Sequence, residues 1–426
     1  MNQRELLLQL ALGPALIAVK GLAAPEVERA YTRARELCEI LGDPPELFPA
    51  LWGLWAVHLV RAELRRAAEI AEQLLRRAQT AHDPVRLIYA RMARGSTSYF
   101  MGAFLPAREH FEVAISLYDP ERHRPLAFRY GGADAGIRCL SYAAWNLWQL
   151  GYPDQALKRC NEAVALAQAL SHPFGLAWAE IFIDVLRLLR RETRATQENA
   201  EALMALSAEH GLTDFLAFAT ILRGWAMAGQ DHNEVGVANI RQGLAATRAT
   251  GAEILSAYFL CLLGDACMAT GQLDDALSAL TAALDAAEEN ENRFYEAEAH
   301  RLKGELLLKR YAEATGADQA GAATRRAQRS RRRPDKVSSL SIASRIVDSS
   351  TAQAQSCFER AIEVARKQSA KSFELRATMS LARLLAAQGH PDQARTMLAD
   401  IYNWFTEGFD TADLKDARTL LDQLSA

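Results

Sequence analysis

Aromatic and arginine side chains are the residues of this 426-residue chain best suited to chemistry, and that chemistry is binding. Large rings and guanidinium groups supply contact area and anchored hydrogen bonds, as a peptide-binding surface requires. In a helical hairpin repeat, the side chains of the first helix that face away from its partner helix line a concave groove. For each aromatic, the alternative is packing between successive hairpins. Hairpin spacing predicts these groove residues: Trp52, Tyr89, Tyr99, Arg138, Trp145, Trp148, Tyr258 and Arg383.

Patterns that indicate catalysis or metal binding are weak in this sequence. No H-E-x-x-H, G-x-S-x-G, G-x-G-x-x-G or P-loop pattern occurs. Gly131, Gly132 and Gly136 form a glycine cluster, but no strand pattern precedes it, which favours a connection between helices. Glu296 and His300 share a helical face, yet a metal ion needs further ligands. We therefore expect a noncatalytic protein with no cofactor and no metal site.

One cluster of basic residues is the sharpest local charge feature. Closely spaced guanidinium groups bind phosphates, so the cluster could contact nucleic acid, an acidic partner or anionic lipid. No aromatic residues are interleaved to stack on bases, and the flanking sequence is rich in Ala, Gly and Ser, which favours a solvated, disordered loop. Nucleic acid binding is therefore not expected, except through this loop. The cluster consists of Arg325, Arg326, Arg329, Arg331, Arg332, Arg333 and Lys336.

A recurring spacing of small residues indicates the elements that must position these side chains. Gly151 suits a turn between two helices, and Ala156 and Ala163 suit the face of the second helix that presses closest to the first. Such repetition is typical of stacked helical hairpins. The same spacing recurs at Gly102, Ala107 and Ala114 and at Gly271, Ala276 and Ala283, with a partial copy at Gly389 and Ala394.

These hairpins predict an all-α protein, a right-handed α-solenoid of about eight tetratricopeptide-like helical hairpins. Ala354 follows Gly304 by 50 positions, where a regular unit has about 12, so about 38 residues are inserted at a turn. We therefore expect helical repeats over 1–315, a disordered basic insertion over 316–350, and the final repeats with a C-terminal capping helix over 351–426.

Composition places the chain among cytoplasmic helical proteins without an obvious charged partner. Half of the residues are hydrophobic and the net charge is -3, which gives no overall attraction to nucleic acid or anionic membrane. Six cysteines stand singly, so neither a disulfide framework nor a zinc site is indicated. The apolar N-terminal stretch lacks a basic flank and a run near twenty residues, which favours a helix over a signal peptide or membrane span.

Four strings resemble the C-terminal tetratricopeptide region of large bacterial signalling proteins: GYPDQALKRCNEAVALAQALSHPF, RFYEAEAHRLKGELLL, SFELRATMSLARLLAAQG and WFTEGFDTADLKDARTLLDQL. In that family a class III adenylate cyclase domain and a predicted P-loop ATPase domain commonly precede the repeats. Both are missing from this chain, which begins where the repeat region would begin. The resemblance covers almost everything except the basic insertion and carries over no catalytic residue.

The resemblance implies a regulatory or partner-binding section, with a cyclase or ATPase domain as a candidate partner. Together with the groove residues, it predicts a noncatalytic scaffold that binds a protein or peptide in its concave groove. The alternative is a sensor of a small effector, in which Trp145 and Trp148 cover the effector and binding changes the curvature of the repeats.

Deletion of residues 316–350 tests the predicted insertion. Helicity and melting temperature should stay nearly unchanged, because a short turn can reconnect the two helices that the insertion joins. Circular dichroism of the shortened and full chains makes the comparison. A large loss of stability would mean that the segment is structural.

Overall fold

The structure, a computed structural model, describes residues 1–123, 134–230, 233–328 and 338–425; of residues 233, 314–328 and 338–349 it describes the backbone alone. Twenty helices and no strand lie in these ranges, and none of these helices is long and apolar enough to cross a membrane. In chain order they are α1 (Asn2–Lys20), α2 (Pro25–Ile40), α3 (Leu47–Val60), α4 (Leu64–Thr80), α5 (Pro84–Phe100), α6 (Phe104–Leu117), α7 (Pro120–His123), α8 (Ala135–Gln149), α9 (Pro153–Leu170), α10 (Pro173–Leu189), α11 (Thr193–Glu209), α12 (Thr213–Ala228), α13 (Asn233–Ala249), α14 (Ser256–Ala269), α15 (Leu273–Glu289), α16 (Glu296–Gln328), α17 (Ser338–Gln368), α18 (Lys371–Ala387), α19 (Pro391–Tyr402) and α20 (Ala412–Leu424).

The helices pair into hairpins that stack as a right-handed, tetratricopeptide-like α-solenoid, which confirms the predicted fold class. Hairpins 1 to 3 are α1–α2, α3–α4 and α5–α6; hairpins 4 to 9 are the consecutive pairs from α8–α9 to α18–α19. The described residues thus hold nine hairpins rather than about eight. Gly151 has a φ of 89° at the turn of hairpin 4, a conformation that favours glycine, and Ala156 and Ala163 are buried, as predicted.

Successive turns of the superhelix touch each other every five hairpins. The carbonyl oxygen of Val60, at the end of α3, accepts hydrogen bonds from the backbone N–H groups of Glu253 and Ile254 at 2.8 and 3.0 Å. One hairpin further along, the carbonyl oxygen of Phe100 accepts from Arg293 and Phe294 at 2.8 and 3.2 Å. The last carbonyl groups of a helix have no partner within it, so these bonds satisfy groups that would otherwise be exposed or unbonded.

The same contact continues at the next two hairpins with side chains as donors. The hydroxyl of Ser372, in α18, donates to the carbonyl oxygen of Trp148 at 2.5 Å. The guanidinium of Arg376 donates to the carbonyl oxygen of Leu189, the last residue of α10. The second superhelical turn therefore contacts the C-terminal ends of the first helices of hairpins 2 to 5, which lie five hairpins earlier or, for Leu189, four.

The predicted insertion falls between α16 and α17. Helical backbone continues to Gln328 in α16 and begins at Ser338 in α17, and residues 329–337 lie outside the described part of the chain. The division into 1–315, 316–350 and 351–426 stays a prediction. Of the basic cluster, Arg325 and Arg326 have only their backbone described, and the remaining members, Arg329, Arg331, Arg332, Arg333 and Lys336, lie outside the described residues.

The segment between α19 and α20 fastens the end of the chain to hairpin 4. The carboxylate of Glu407 accepts hydrogen bonds from the backbone N–H groups of Asp154 and Gln155, both at 3.0 Å, and from the amide of Gln155 at 2.8 Å. In return, Asp154 accepts from the N–H of Gly408 at 2.9 Å. Glu407 thus caps α9 from a distance in sequence, where a carboxylate also meets the positive end of the helix dipole.

Replacement of Glu407 by alanine should loosen this attachment without unfolding the solenoid. We expect amide hydrogen exchange at Asp154 and Gln155 to accelerate about fivefold, since a lost cap costs about 1 kcal/mol. Hydrogen-exchange mass spectrometry of the variant measures it. Asp410→Ala, which removes an exposed carboxylate of the same segment, is the control. Equal exchange in both variants would show that the cap contributes nothing.

Candidate functional site

Six aromatic residues predicted to line the groove have side chains that are almost completely buried. Tyr99 packs against Phe294 of hairpin 8 with ring centroids 5.5 Å apart, and Trp148 packs against Phe373 of hairpin 9 at 5.2 Å. The second superhelical turn covers Tyr99 and Trp148, so in this arrangement a docked partner would not reach these two rings. The part of all six in partner binding stays a prediction. The six are Trp52, Tyr89, Tyr99, Trp145, Trp148 and Tyr258, each no more than 4% exposed.

Neighbouring hairpins account for other contacts of these rings, as the packing alternative described. Trp145 stacks on Phe182 with centroids 3.8 Å apart, and its indole N–H donates to the carbonyl oxygen of the same residue at 2.8 Å. Trp52 lies edge-on to Tyr89 at 5.1 Å. The two other predicted groove residues differ. Arg138 is half-buried with its guanidinium 4.4 Å from the ring centre of Trp178, whereas Arg383 is exposed.

Arg383 lines a cavity of about 290 Å³ among the first helices of the C-terminal hairpins. Its walls come from α10, α12, α14, α16 and α18 of hairpins 5 to 9, and α20 closes one side. Aromatic and charged side chains alternate along these walls, which suits a ligand with both apolar and charged parts. The residues that line the cavity include Trp225, Asp265, Tyr295, Arg301, Arg376 and Arg383.

Arg376 is the central side chain of the cavity wall. Its guanidinium donates to Asp413 of α20 at 2.8 Å, to Glu298 of α16 at 3.3 Å and to the end of α10, and lies 5.0 Å from the ring centre of Trp148. Burial alone would raise the pKa of Glu298, but Arg301 and Arg376 together hold that pKa below its usual range. Arg376 therefore joins four helices through one buried ion pair network.

Two further arginines of the cavity are fully engaged by carboxylates. Arg301 forms two parallel hydrogen bonds to Glu298, both 2.8 Å. Arg191 donates to Asp416 at 2.6 Å and to Asp413 at 3.4 Å, both on α20. These bonds fix the arginines in place and neutralise their charges.

Arg383 and Asp265 are the charged groups of the cavity that form no salt bridge among the described residues. Among the described residues, Arg383 makes no hydrogen bond or ion pair. Asp265 accepts a hydrogen bond from the indole N–H of Trp225 at 2.9 Å and forms no salt bridge. Burial raises the pKa of Asp265. One guanidinium on α18 and one carboxyl group on α14 therefore line the cavity without a salt-bridge partner. Arg301 and Arg376 act on Asp265 only at longer range and lower its pKa less than burial raises it.

Sequence reasoning found Arg383 but missed Trp225 and Asp265. The sequence did contain a pattern that identifies Trp225 and Asp265. Each of them comes directly after a small residue, at the point where its helix lies closest to the second helix of the hairpin. At that point the next side chain turns toward the concave face. The pairs are Gly224–Trp225, Gly264–Asp265, Gly304–Glu305 and Ala382–Arg383.

Metal binding finds no support in the geometry of the described side chains: no group of three or more His, Cys, Asp or Glu residues among them could hold a metal ion. Glu296 and His300, the pair considered from the sequence, approach to 4.0 Å, and Glu296 also lies 3.6 Å from Arg360. Glu296, the acidic partner of His300, is thus shared with the guanidinium of Arg360.

Neither a protein-family model nor a curated protein matches the chain. Solved structures do. A Rap protein complexed with competence and sporulation factor has a TM-score of 0.52 at 11% identity, covering 92% of this chain and 99% of that one. Aspartyl phosphate phosphatase F from Bacillus subtilis has a TM-score of 0.43 at 10% sequence identity, and the match covers 93% of this chain and 92% of that one. A signal transduction ATPase with a tetratricopeptide repeat sensor from Pyrococcus horikoshii has a TM-score of 0.42 at 11% sequence identity, and the match covers 95% of this chain and 55% of that one. The first likeness shows a shared fold.

Replacing Arg376 by methionine should strongly destabilise the C-terminal hairpins. Removing one member of a buried ion pair network leaves carboxylates without compensation, and we expect a loss of about 3 kcal/mol in the free energy of unfolding. Urea unfolding followed by circular dichroism measures it. Arg383→Met, on the same helix and without a partner, should change the midpoint little. Equal losses in the two variants would contradict the assigned role of Arg376.

Proposed function

We propose that this chain is a noncatalytic scaffold that binds a peptide, or an extended segment of a partner protein, in the cavity at its concave face. One observation carries the proposal: Arg383 and Trp225 line a cavity of about 290 Å³ between the first helices of hairpins 5 to 9. Trp225, which is half-buried, supplies aromatic contact area there, and Arg383 supplies an exposed guanidinium without a charge partner. Aromatic and arginine side chains dominate the binding energy of many protein interfaces.

The rigidity of the walls supports this reading. Arg376 ties α10, α16 and α20 together, so the receptor side loses little conformational freedom when a ligand enters, and more of the contact energy appears as affinity. The Rap protein of similar fold is complexed with competence and sporulation factor, which is an analogy at the level of fold.

The setting of the proposal is a bacterial signalling system. Resemblance of four sequence strings to the repeat region of cyclase and ATPase signalling proteins makes such a domain the candidate partner. A cytoplasmic location belongs to the same proposal, because all six cysteines are free thiols, as expected in a reducing compartment.

A small effector is the second candidate ligand. The cavity volume of about 290 Å³ lies near the lower limit for small-molecule sites. Trp225, which is half-buried, would then contact the effector, in place of the buried Trp145 and Trp148.

Selection from a displayed library of random peptides tests peptide binding directly. Enriched peptides are labelled and titrated by fluorescence anisotropy against the native chain and against Arg383→Trp, which fills the cavity mouth. We expect affinity to fall at least about tenfold in that variant, because the ring occupies the volume of the ligand. Arg395→Trp, an exposed arginine of α19, is the matched control and should bind normally.

Three outcomes separate the possibilities. Loss of binding in Arg383→Trp alone supports the cavity as the site. Unchanged binding in both variants contradicts the assignment of the cavity. If no peptide is enriched and a metabolite panel instead raises the melting temperature of the native chain but not of Arg383→Trp, the small effector replaces the peptide.

A further inference from the structure

The charges of the cavity walls indicate which peptide would fit, on the basis of the proposed peptide-binding function. We infer that the bound segment carries an acidic group that pairs with Arg383 and, a few residues away, a basic group that pairs with Asp265. This assigns Arg383 and Asp265 as the residues that determine specificity.

The acidic group of the ligand is inferred from the partners of the other cavity arginines. Arg191, Arg301 and Arg376 each donate to carboxylates of the chain itself, at distances from 2.6 to 3.4 Å. Arg383 lies on the same face of α18 as Arg376, seven residues on, which is two helical turns. It lines the cavity and lacks such a carboxylate among the described residues.

The fold already contains a model for this interaction. Helix α20 docks against this wall by placing Asp413 on Arg376 and Asp416 on Arg191. An acidic segment is therefore the kind of chain that this surface binds, and Arg383 is an available anchor next to the position that α20 occupies. Charge complementarity of this kind selects partners and fixes their register.

The basic group of the ligand is inferred from the carboxyl groups that line the cavity. Glu298, Asp413 and Asp416 are all bonded to guanidinium groups. Asp265 forms no salt bridge; it accepts a hydrogen bond from the neutral indole N–H of Trp225 at 2.9 Å, and burial raises its pKa although Arg301 and Arg376 act in the opposite direction. A carboxyl group that is only partly compensated gains from an ammonium or guanidinium donor, and the nearby Trp225 ring would also favour a cation.

Spacing between the two anchors sets the spacing of the charges on the ligand. Arg383 is on α18 and Asp265 on α14, with α16 between them. Packed helix axes lie about 8–10 Å apart, and an extended chain advances about 3.4 Å per residue. Because both side chains reach inward, the two ligand charges should be about three to five residues apart.

Four pools of labelled nonapeptides test this pattern by fluorescence anisotropy. One pool fixes Glu and Lys four residues apart, in both orders; the others fix Glu alone, Lys alone, or Gln at both positions. All remaining positions are random. We expect the Glu-and-Lys pool to bind best and the Gln pool worst, with about a fivefold gain for each charge, as for partly exposed ion pairs.

Variants assign each gain to a residue. Arg383→Gln should remove the advantage of Glu while keeping that of Lys, and Asp265→Asn, which keeps an acceptor for Trp225, should do the reverse. Arg383→Glu should prefer Lys where the native chain prefers Glu. Arg395→Gln is the control and should bind all pools as the native chain does.

The results distinguish failure of the inference from failure of the proposed function. Equal binding of all four pools, lost in Arg383→Trp, would overturn the charge pattern and leave peptide binding intact. Absence of binding to every pool and to peptides from the random library would overturn both. A preference for Glu that survives Arg383→Gln would place the acidic group elsewhere.

Discussion

Contact between successive superhelical turns is the constraint on which the rest of this structure depends. Carbonyl groups of α3, α5 and α8 accept hydrogen bonds from residues five hairpins later, and Leu189 of α10 accepts one from Arg376, four hairpins later. An open solenoid has only nearest-neighbour interfaces, so its stability is nearly a sum of local terms. Here each of these hairpins also contacts a hairpin distant in sequence, which couples the first half of the chain to the second. These contacts bury rings such as Tyr99 and Trp148 between the two superhelical turns.

Arg376 shows how that closure produces a site as well as a core. A buried guanidinium is costly to desolvate, and its cost is offset only where several acceptors surround it in good geometry. Asp413, Glu298 and the end of α10 provide these acceptors from three different elements. The network therefore specifies how α20 and hairpins 5, 8 and 9 sit relative to one another. The cavity beside it keeps its shape because its walls share this network.

The sequence predicted the hairpins well because small residues act locally. Gly151, Ala156 and Ala163 report contacts between two helices joined by one turn. The groove prediction used the same local logic: it identified rings such as Tyr99 and Trp148, which the structure places between superhelical turns. Their burial depends on Phe294 and Phe373, about two hundred positions away, and no spacing within a hairpin encodes that contact. Asp265 was missed for a different reason, since its importance depends on which other carboxyl groups already have guanidinium partners.

The capping of α9 by Glu407 has a consequence for how the protein is made. Hairpin 4 is completed by a carboxylate 253 positions further along the chain, so that helix stays uncapped until synthesis has passed Glu407. Earlier hairpins can form during synthesis, but the joined structure is a late event. A chain shortened at its C-terminal end would expose the first N–H groups of α9 and the arginines that α20 covers. Such a shortened chain would therefore differ from the folded protein in groups that cellular quality control can recognise: unpaired backbone N–H groups and exposed arginines.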